Sequence, residues 1–272
     1  MRTSLYIILF FGYIAVVFVR SLKTRRLKQS VVRELLHLHS VYYRNLHYKE
    51  QKHFEKRIIR FISLKRFYRF DKSEATDEMK ILIAAAAVQI TFGFPDECEY
   101  EVFNQIAVSD KEYVSQQTKK VHQGEANPGK SLIAFSWQRF MEGVKNPCDS
   151  MNLGLHEFAH ALFVNNVCGY SNRYFRETVN AWHTEVTKLM QDQAAHNFFR
   201  SYAFENKMEF FAVSMEHFFE NPKALHAHFP QLYFIMCRML NQNPMLPNNG
   251  IVRKSIFSLN TRKNNYKNTN LI

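Results

Sequence analysis

Two histidines and one glutamate lie close together near the middle of the 272-residue chain. His156, Glu157 and His160 form the pattern HExxH, and residues four positions apart on an α-helix lie one turn apart on the same face. Two imidazoles can therefore converge on one metal ion, while Glu157 lies beside that ion without binding it. Imidazole nitrogens suit Zn²⁺, and a catalytic zinc needs three protein ligands and one open position. The pattern predicts a hydrolytic zinc site with Glu157 as the general base.

The residues around this pattern favour a metal site over two surface histidines without a metal. The flanking positions are apolar, Leu155 and Phe158 among them. Two histidines and a carboxylate are costly to bury on such a helix unless a partner compensates them. Asp149 and Ser150, just upstream, are candidate helix caps. We therefore predict a helix over residues 149–165 that presents both histidines to one ion.

The third ligand must come from a distant part of the chain. Residues 208–219 (MEFFAVSMEHFF) predict an almost wholly apolar helix, in which an unpaired carboxylate would be costly. Glutamates at one-turn and two-turn spacing on a similar face are the candidates. They are Glu205, Glu209 and Glu216. Spacing alone leaves all three open, and Glu209 is preferred because its surroundings are the most apolar. His183 and Glu185 are a weaker rival pair, for ligand or supporting roles.

The elements that must position these residues indicate an α+β fold, mostly helical with a small sheet. Thr76 is predicted to cap a buried, alanine-rich helix that ends at residues 93–95. Two apolar segments, residues 100–108 and 131–137, have the composition of strands, and the second follows a predicted loop that contains Gly124, Asn127, Pro128 and Gly129. Residues 132–137 are a hypothetical site for an added strand of substrate backbone. Helices are predicted at residues 31–70, 149–165, 174–200, 207–220 and 230–240.

Composition places the chain among ordinary globular proteins. The hydrophobic fraction of 46% argues against disorder, and 8 glycines with 7 prolines argue against a turn-rich all-β design. The length suits one sizeable domain with terminal extensions. The cysteines show no CxxC spacing and predict reduced thiols. They are Cys98, Cys148, Cys168 and Cys237.

The positive charge is concentrated rather than spread. The formal net charge is +12, but lysine and arginine crowd into residues 20–28 and 49–69, with a few more in the last twenty residues. A basic segment beside an apolar terminus suits anionic lipid headgroups at least as well as phosphodiesters. No nucleic-acid-binding motif accompanies the charge, so a nucleic-acid partner is not favoured.

An apolar segment at the N-terminus predicts a membrane anchor. Residues 5–19 carry no charge, and with their neighbours they approach the minimum length of about 17 residues for a membrane-spanning helix. Positive residues follow the segment, which places the remainder in the cytoplasm. A buried or interfacial helix of a soluble cytoplasmic protein is the alternative. The predicted division is an anchor helix at residues 1–22, a basic helical segment at 23–48, a zinc peptidase domain at 49–246 and a disordered polar tail at 247–272.

Four stretches resemble the MtfA-type zinc-dependent peptidases, and the likeness runs from about residue 50 to residue 244. The first and the last of the four are far more specific than HExxH alone. They are residues 76–94 (TDEMKILIAAAAVQITFGF), 129–137 (GKSLIAFSW), 152–162 (NLGLHEFAHAL) and 202–219 (YAFENKMEFFAVSMEHFF).

The resemblance implies a zincin-like metallopeptidase domain that binds one zinc ion per chain through His156, His160 and Glu209. It implies hydrolysis of peptide bonds through a metal-bound water, with Glu157 as the base. The family's active-site tyrosine, seven residues before the ligand glutamate, falls on Tyr202, which would stabilise the oxyanion. The residues themselves mark Tyr202 only as an aromatic at a helix start.

The substrate does not follow from the resemblance. Residues 161–170 (ALFVNNVCGY) replace the family's usual acidic continuation, so aminopeptidase and endopeptidase activities both remain open. MtfA-type proteins are also associated with binding a transcriptional repressor of sugar uptake. The alternative function is therefore an interaction protein that keeps the zinc peptidase scaffold and sequesters a transcriptional regulator.

Overall fold

The computed structural model describes residues 27–95, 98–115, 118–170 and 172–250. The predicted anchor at residues 1–22 and most of the predicted tail lie outside these residues. Within them, no helix is both long enough and apolar enough to cross a membrane. The helices are α1 (Gln29–His39), α2 (Val41–Arg44), α3 (Tyr48–Leu64), α4 (Asp77–Thr91), α5 (Trp137–Lys145), α6 (Leu153–Val167), α7 (Arg173–Leu189), α8 (Gln193–Phe198), α9 (Lys207–Glu220), α10 (Pro222–His228) and α11 (Pro230–Leu240). The strands are β1 (Arg66–Arg69), β2 (Gln105–Ser109), β3 (Tyr113–Val114), β4 (Val121–His122), β5 (Gly124–Asn127) and β6 (Leu132–Ser136).

The predicted α+β class, mostly helical with a small sheet, is confirmed. The main sheet has the order β1-β2-β6-β5, and β3 and β4 form a separate hairpin. Strands β1, β2 and β6 are parallel, whereas β5 pairs antiparallel with β6 at one edge. The central strands are almost continuously apolar and buried, as expected for parallel strands covered on both faces.

The hypothesis that residues 132–137 bind substrate as an added strand is wrong. Strand β6 is internal, because β2 pairs with one of its edges and β5 with the other. Its backbone groups are thus used within the sheet and cannot accept another strand. The edge next to the HExxH helix belongs to β5, a short strand within a segment predicted to be a loop.

Helix α6 occupies the centre of the molecule. It packs against α9, α4 and α5, and also contacts β5 and β6. Helix α4 beside it is almost entirely buried and begins as predicted, with the Thr76 side chain accepting a hydrogen bond from the Met79 N–H. Because α6 is surrounded by apolar elements, polar side chains on it must find partners inside the protein.

The predicted cap of the motif helix is wrong. Asn152 is the N-cap of α6, and its Oδ1 accepts a hydrogen bond from the Leu155 N–H at 3.0 Å. Ser150 lies in the left-handed region, with φ of 59°, so the chain still turns before the helix starts at Leu153. The predicted segment at 149–165 therefore begins four residues too early.

Other boundaries show where local patterns suffice. The predicted bounds of α9 and α11 agree with the structure, but the helix predicted at 174–200 is divided into α7 and α8. Strand β1 lies inside the segment predicted as helix at 31–70.

Val32 and Leu36 of α1 are fully buried in the same core as the later helices. The division of the chain at residues 22, 48 and 246 stays a prediction. The four cysteines are free, as predicted.

Candidate metal centre

Helices α6 and α9 bring three potential metal ligands together. His156 Nε2 lies 3.1 Å from His160 Nε2 and 3.1 Å from Glu209 Oε2, and His160 Nε2 lies 3.2 Å from the same oxygen. The two histidines come from successive turns of α6, and Glu209 from the first turn of α9. A tetrahedral ion with bonds of about 2.0–2.1 Å separates its ligand atoms by roughly 3.3 Å. The three atoms thus form nearly one face of such a tetrahedron.

The chemistry of these three atoms fits a cation. His156 Nδ1 faces the Glu216 carboxylate, so in the neutral ring Nδ1 carries the hydrogen and Nε2 offers a lone pair. That lone pair points at the Glu209 oxygen, which is also an acceptor. Two acceptors at this distance need a proton or a metal ion between them. Within the described residues, His156, His160 and Glu209 form a group whose ligand atoms all lie within 4.8 Å of one another and can hold a metal ion.

A buried carboxylate and an arginine hold His156 in place. Glu216 Oε1 lies 2.6 Å from His156 Nδ1, and Arg200 donates one hydrogen bond of 2.7 Å to each Glu216 oxygen. Glu216 is only 1% exposed. Such a partner fixes the orientation and tautomer of a ligand histidine. His160 Nδ1, by contrast, has no hydrogen-bond partner among the residues described. The His156 ring is therefore held in place more firmly than the His160 ring.

The charges within this cluster depend strongly on one another. Burial acts to lower the pKa of His156, but hydrogen bonds to Glu209 and Glu216 outweigh it and raise the pKa to about 10. Burial acts to raise the pKa of Glu209, and hydrogen bonds from His156 and His160 reverse this and lower it. Protons and a metal ion compete for the same lone pairs, so metal binding releases protons.

Glu157 is buried beside the ligands and packs against the sheet edge. A Cβ atom on Gly124 of β5 would lie only 2.5 Å from Glu157 Oε1. Gly124 therefore lets the β5 backbone approach the carboxylate closely, and a side chain at this position would force Glu157 to shift. Burial raises the pKa of Glu157, and the nearby His156 and His160 oppose this effect. A carboxylate with a raised pKa is a stronger base than an ordinary surface glutamate.

Tyr202 lies beside the cluster of His156, His160 and Glu209. It belongs to a short 3₁₀ turn, Ser201–Phe204, that precedes α9. Its ring centroid is 5.9 Å from that of His156, and 41% of the residue is exposed. Burial of the hydroxyl, the charge of Glu209 and a hydrogen bond to Glu209 raise the pKa of Tyr202. The phenol is therefore protonated at neutral pH and can donate a hydrogen bond.

The residues that form this site fall inside a region matched by a known family. A family model described as glucose-regulated metallo-peptidase M90 matches residues 19–240. The chain belongs to the M90 metallopeptidase family. The match covers the sheet and the two helices that carry these three residues, so the resemblance to MtfA-type peptidases is confirmed. Membership implies a metal ion, for which the cluster of His156, His160 and Glu209 offers a place.

Curated relatives of this M90 chain are named as titration factors and not as peptidases. Proteins called Mlc titration factor A from Yersinia pestis (strain Pestoides F) and Yersinia pseudotuberculosis (serotype O:1b, strain IP 31758) are each 30% identical to it over 141 residues. The alignment covers 46% of this chain and 51% of each relative. It therefore spans about half the length of the curated relatives.

Among the candidates for a third ligand, the structure separates Glu209 from its rivals. Glu205 is exposed at the end of the 3₁₀ turn, and Glu216 supports His156 from the Nδ1 side. His183 on α7 packs against the ring of its neighbour Trp182 and against the ring of Phe163 on α6. Glu185 pairs with Lys188. His37, His39, His47 and His53, the scattered histidines near the N-terminus, also lie outside the group that can hold a metal ion.

Sequence reasoning missed two residues of this M90 site. Arg200 appeared only as the end of a predicted helix, and no spacing rule links an arginine to a histidine 44 positions earlier. Gly124 appeared only as a loop glycine. A glycine in a strand often marks the close approach of another group, and that signal was available once β5 was recognised.

Proposed function

We propose that this M90 family member is a zinc-dependent peptidase with a zincin-like catalytic domain. The observation that carries the proposal is the convergence of His156, His160 and Glu209 within 3.2 Å of one another, with Glu157 buried beside them. A site that only binds a partner has no need of a buried carboxylate next to the ligands. That carboxylate has the position and the raised pKa of a general base.

The proposed reaction is hydrolysis of a peptide bond. When bound, Zn²⁺ lowers the pKa of water to about 7 and polarises a carbonyl group. Glu157 accepts a proton from the attacking water and passes it to the leaving amine. Tyr202 donates its hydroxyl hydrogen to the oxygen on which negative charge develops. Glu216 and Arg200 keep His156 in its ligating orientation throughout.

The edge of β5 is the proposed place for the substrate backbone. Its partner β6 occupies one side, and no strand pairs with the other side among the residues that the structure describes. Gly124 places this edge directly against Glu157. An extended peptide that added to β5 would gain main-chain hydrogen bonds and pass close to the base.

The test combines metal content with cleavage. Purified wild-type protein should contain about one zinc per chain and cleave members of a quenched fluorescent peptide library. Glu157→Gln should retain zinc and lose at least about a thousandfold in cleavage rate, because proton transfer is removed. Glu34→Gln, an exposed change on α1, is the matched control and should behave as wild type. Near-normal turnover by Glu157→Gln would eliminate the proposed base.

A second candidate function is regulator binding, and the names of the relatives favour it. A titration factor acts by binding what it titrates, so the corresponding proposal for this chain is sequestration of a transcriptional regulator. Purified Mlc is the available probe. Co-purification with both wild type and Glu157→Gln, without peptide cleavage by either, would support this function over catalysis.

The membrane anchor at residues 1–22 is a further proposal, with catalysis on the cytoplasmic side. It depends on the apolar residues 5–19 and the basic residues that follow them. Full-length protein should sediment with membranes and resist carbonate extraction. Recovery of the intact chain in the soluble fraction would contradict the anchor and favour a soluble protein.

A further inference from the structure

A cavity of about 260 Å³ lies at the N-terminal end of α6, apart from the metal cluster. The junction of α1 and α2, helices α4 and α5, and the end of α9 surround it. None of His156, His160 and Glu209 lines it. The volume is somewhat below the range of about 300–1,000 Å³ for sites of drug-sized ligands, so the cavity suits a smaller molecule.

The acidic group in the described lining of this cavity is the Glu220 carboxylate, at the last residue of α9. Its Oε1 accepts a hydrogen bond of 2.8 Å from Asn152 Nδ2. Its Oε2 is buried and has no hydrogen-bond partner within the described residues. In the part of the chain that the structure describes, Glu220 is the one acidic residue in the lining, and the lining includes no lysine or arginine. A buried carboxylate oxygen without a partner is costly for the fold.

The electrostatic surroundings of Glu220 favour a cationic ligand. Burial raises the pKa of its carboxyl to about 8, and the negative charges of Asp149 and Glu216 add to that effect against the Asn152 hydrogen bond. His39 also lines the cavity, but its Nε2 lies 3.7 Å from Glu78. A cation would give Glu220 Oε2 a charged partner and favour the ionised carboxylate, whereas an anion would lie against the one acidic side chain of the described lining.

Part of the remaining wall is apolar. Leu82 of α4, Phe140 and Val144 of α5, and Phe219 of α9 face the space beside Glu220. Contact with these side chains would stabilise a short aliphatic group by removing its surface from water. The cavity thus offers a carboxylate together with apolar walls, which matches an amphipathic amine.

We propose that this cavity binds a small aliphatic amine, whose ammonium group pairs with Glu220 and whose apolar part contacts Val144 and Phe219. The site is separate from the proposed peptidase centre. It nevertheless adjoins it, because Asn152, which binds Glu220, also caps α6 and donates its backbone N–H to Glu216 at 3.3 Å.

Calorimetric titration of the purified full-length protein with three six-carbon probes tests the proposal. The probes are hexylammonium, 1-hexanol and hexanoate, which share a chain and differ in charge. Hexylammonium should bind with one site per chain, at least about tenfold more tightly than 1-hexanol, and hexanoate should not bind. Equal affinities for hexylammonium and 1-hexanol, or the absence of saturable hexylammonium binding, would overturn the proposal.

Two variants test the charge of Glu220 and the volume of the cavity separately. Glu220→Gln should weaken hexylammonium binding about tenfold or more and leave 1-hexanol binding unchanged, which also shows that the cavity persists in the variant. Val144→Phe should abolish binding of both probes by filling the cavity. Glu177→Gln, on the surface of α7, is the matched control and should change neither. Unchanged hexylammonium affinity in Glu220→Gln would contradict the assignment of the ammonium partner.

Discussion

Two glutamates one turn apart on α9 show how partners, rather than burial, determine the charge of a buried carboxylate. Glu216 and Glu220 are both largely buried, and both contact Asn152. Glu216 also receives two hydrogen bonds from Arg200 and one from His156, and these outweigh burial and lower its pKa. Glu220 has neutral partners in the Asn152 amide and the Ser150 backbone, its Oε2 has no hydrogen-bond partner among the described residues, and burial raises its pKa to about 8. The first residue is built as a permanent anion, and the second is not.

The largest effect on this difference between the two glutamates is expected when the cation beside Glu216 is removed. Arg200→Met leaves a carboxylate that is 1% exposed without its charged partner. The free energy of unfolding should fall by about 3 kcal/mol, toward the lower end of the range for broken buried pairs because Arg200 itself is 31% exposed. Urea denaturation measures the change.

The control for that variant is a surface pair. Arg173→Met removes the partner of Glu177 on α7, where the arginine is 72% exposed. The expected loss is much smaller than in Arg200→Met, because solvent screens an exposed pair. Similar losses in the two variants would show that Glu216 does not depend on Arg200.

The next largest effect concerns the metal. Glu216→Gln keeps the shape of the side chain but removes the charge that faces His156 Nδ1, so zinc affinity should fall about 10–100-fold. Glu220→Gln on the same helix should change zinc affinity less than about threefold. Competition with a fluorescent chelator measures both. Equal effects of the two changes would remove the distinction between the carboxylates.

The smallest expected effect is the contribution of Glu220 to the pH dependence of the free energy of unfolding. A carboxyl whose pKa is about 8 in the folded protein and near 4.5 in the unfolded chain keeps its proton longer when folded. Stability is therefore lost as the pH rises from about 4.5 to about 8. Relative to Glu220→Gln, the wild type should lose roughly 1–3 kcal/mol across this window. Denaturation curves at pH 5 and pH 8.5 measure it, and identical differences at the two values would refute the raised pKa.

Some features of this protein follow from residues that are near one another in the chain. The helical spacing of His156 and His160, the cap at Thr76 and the bounds of α9 depend on contacts within a few positions, and the sequence was sufficient to predict them. Glu209 was preferred because an unpaired carboxylate on an apolar helix needs a partner, and the structure places it beside both histidines. Its role as a ligand remains a proposal.

Other features depend on which distant segments meet, and local patterns do not contain that information. Glu205, Glu209 and Glu216 were equivalent by spacing, and the packing of α9 on α6 alone separates them into exposed residue, potential ligand and support for His156. Arg200 and Gly124 acquire their roles in the same way. The residue types and their helical periods determined that a helix forms with two histidines on one face. The tertiary contacts decided which carboxylates face the histidines, because electrostatic and hydrogen-bond energies depend on distances in space and not on separation along the chain.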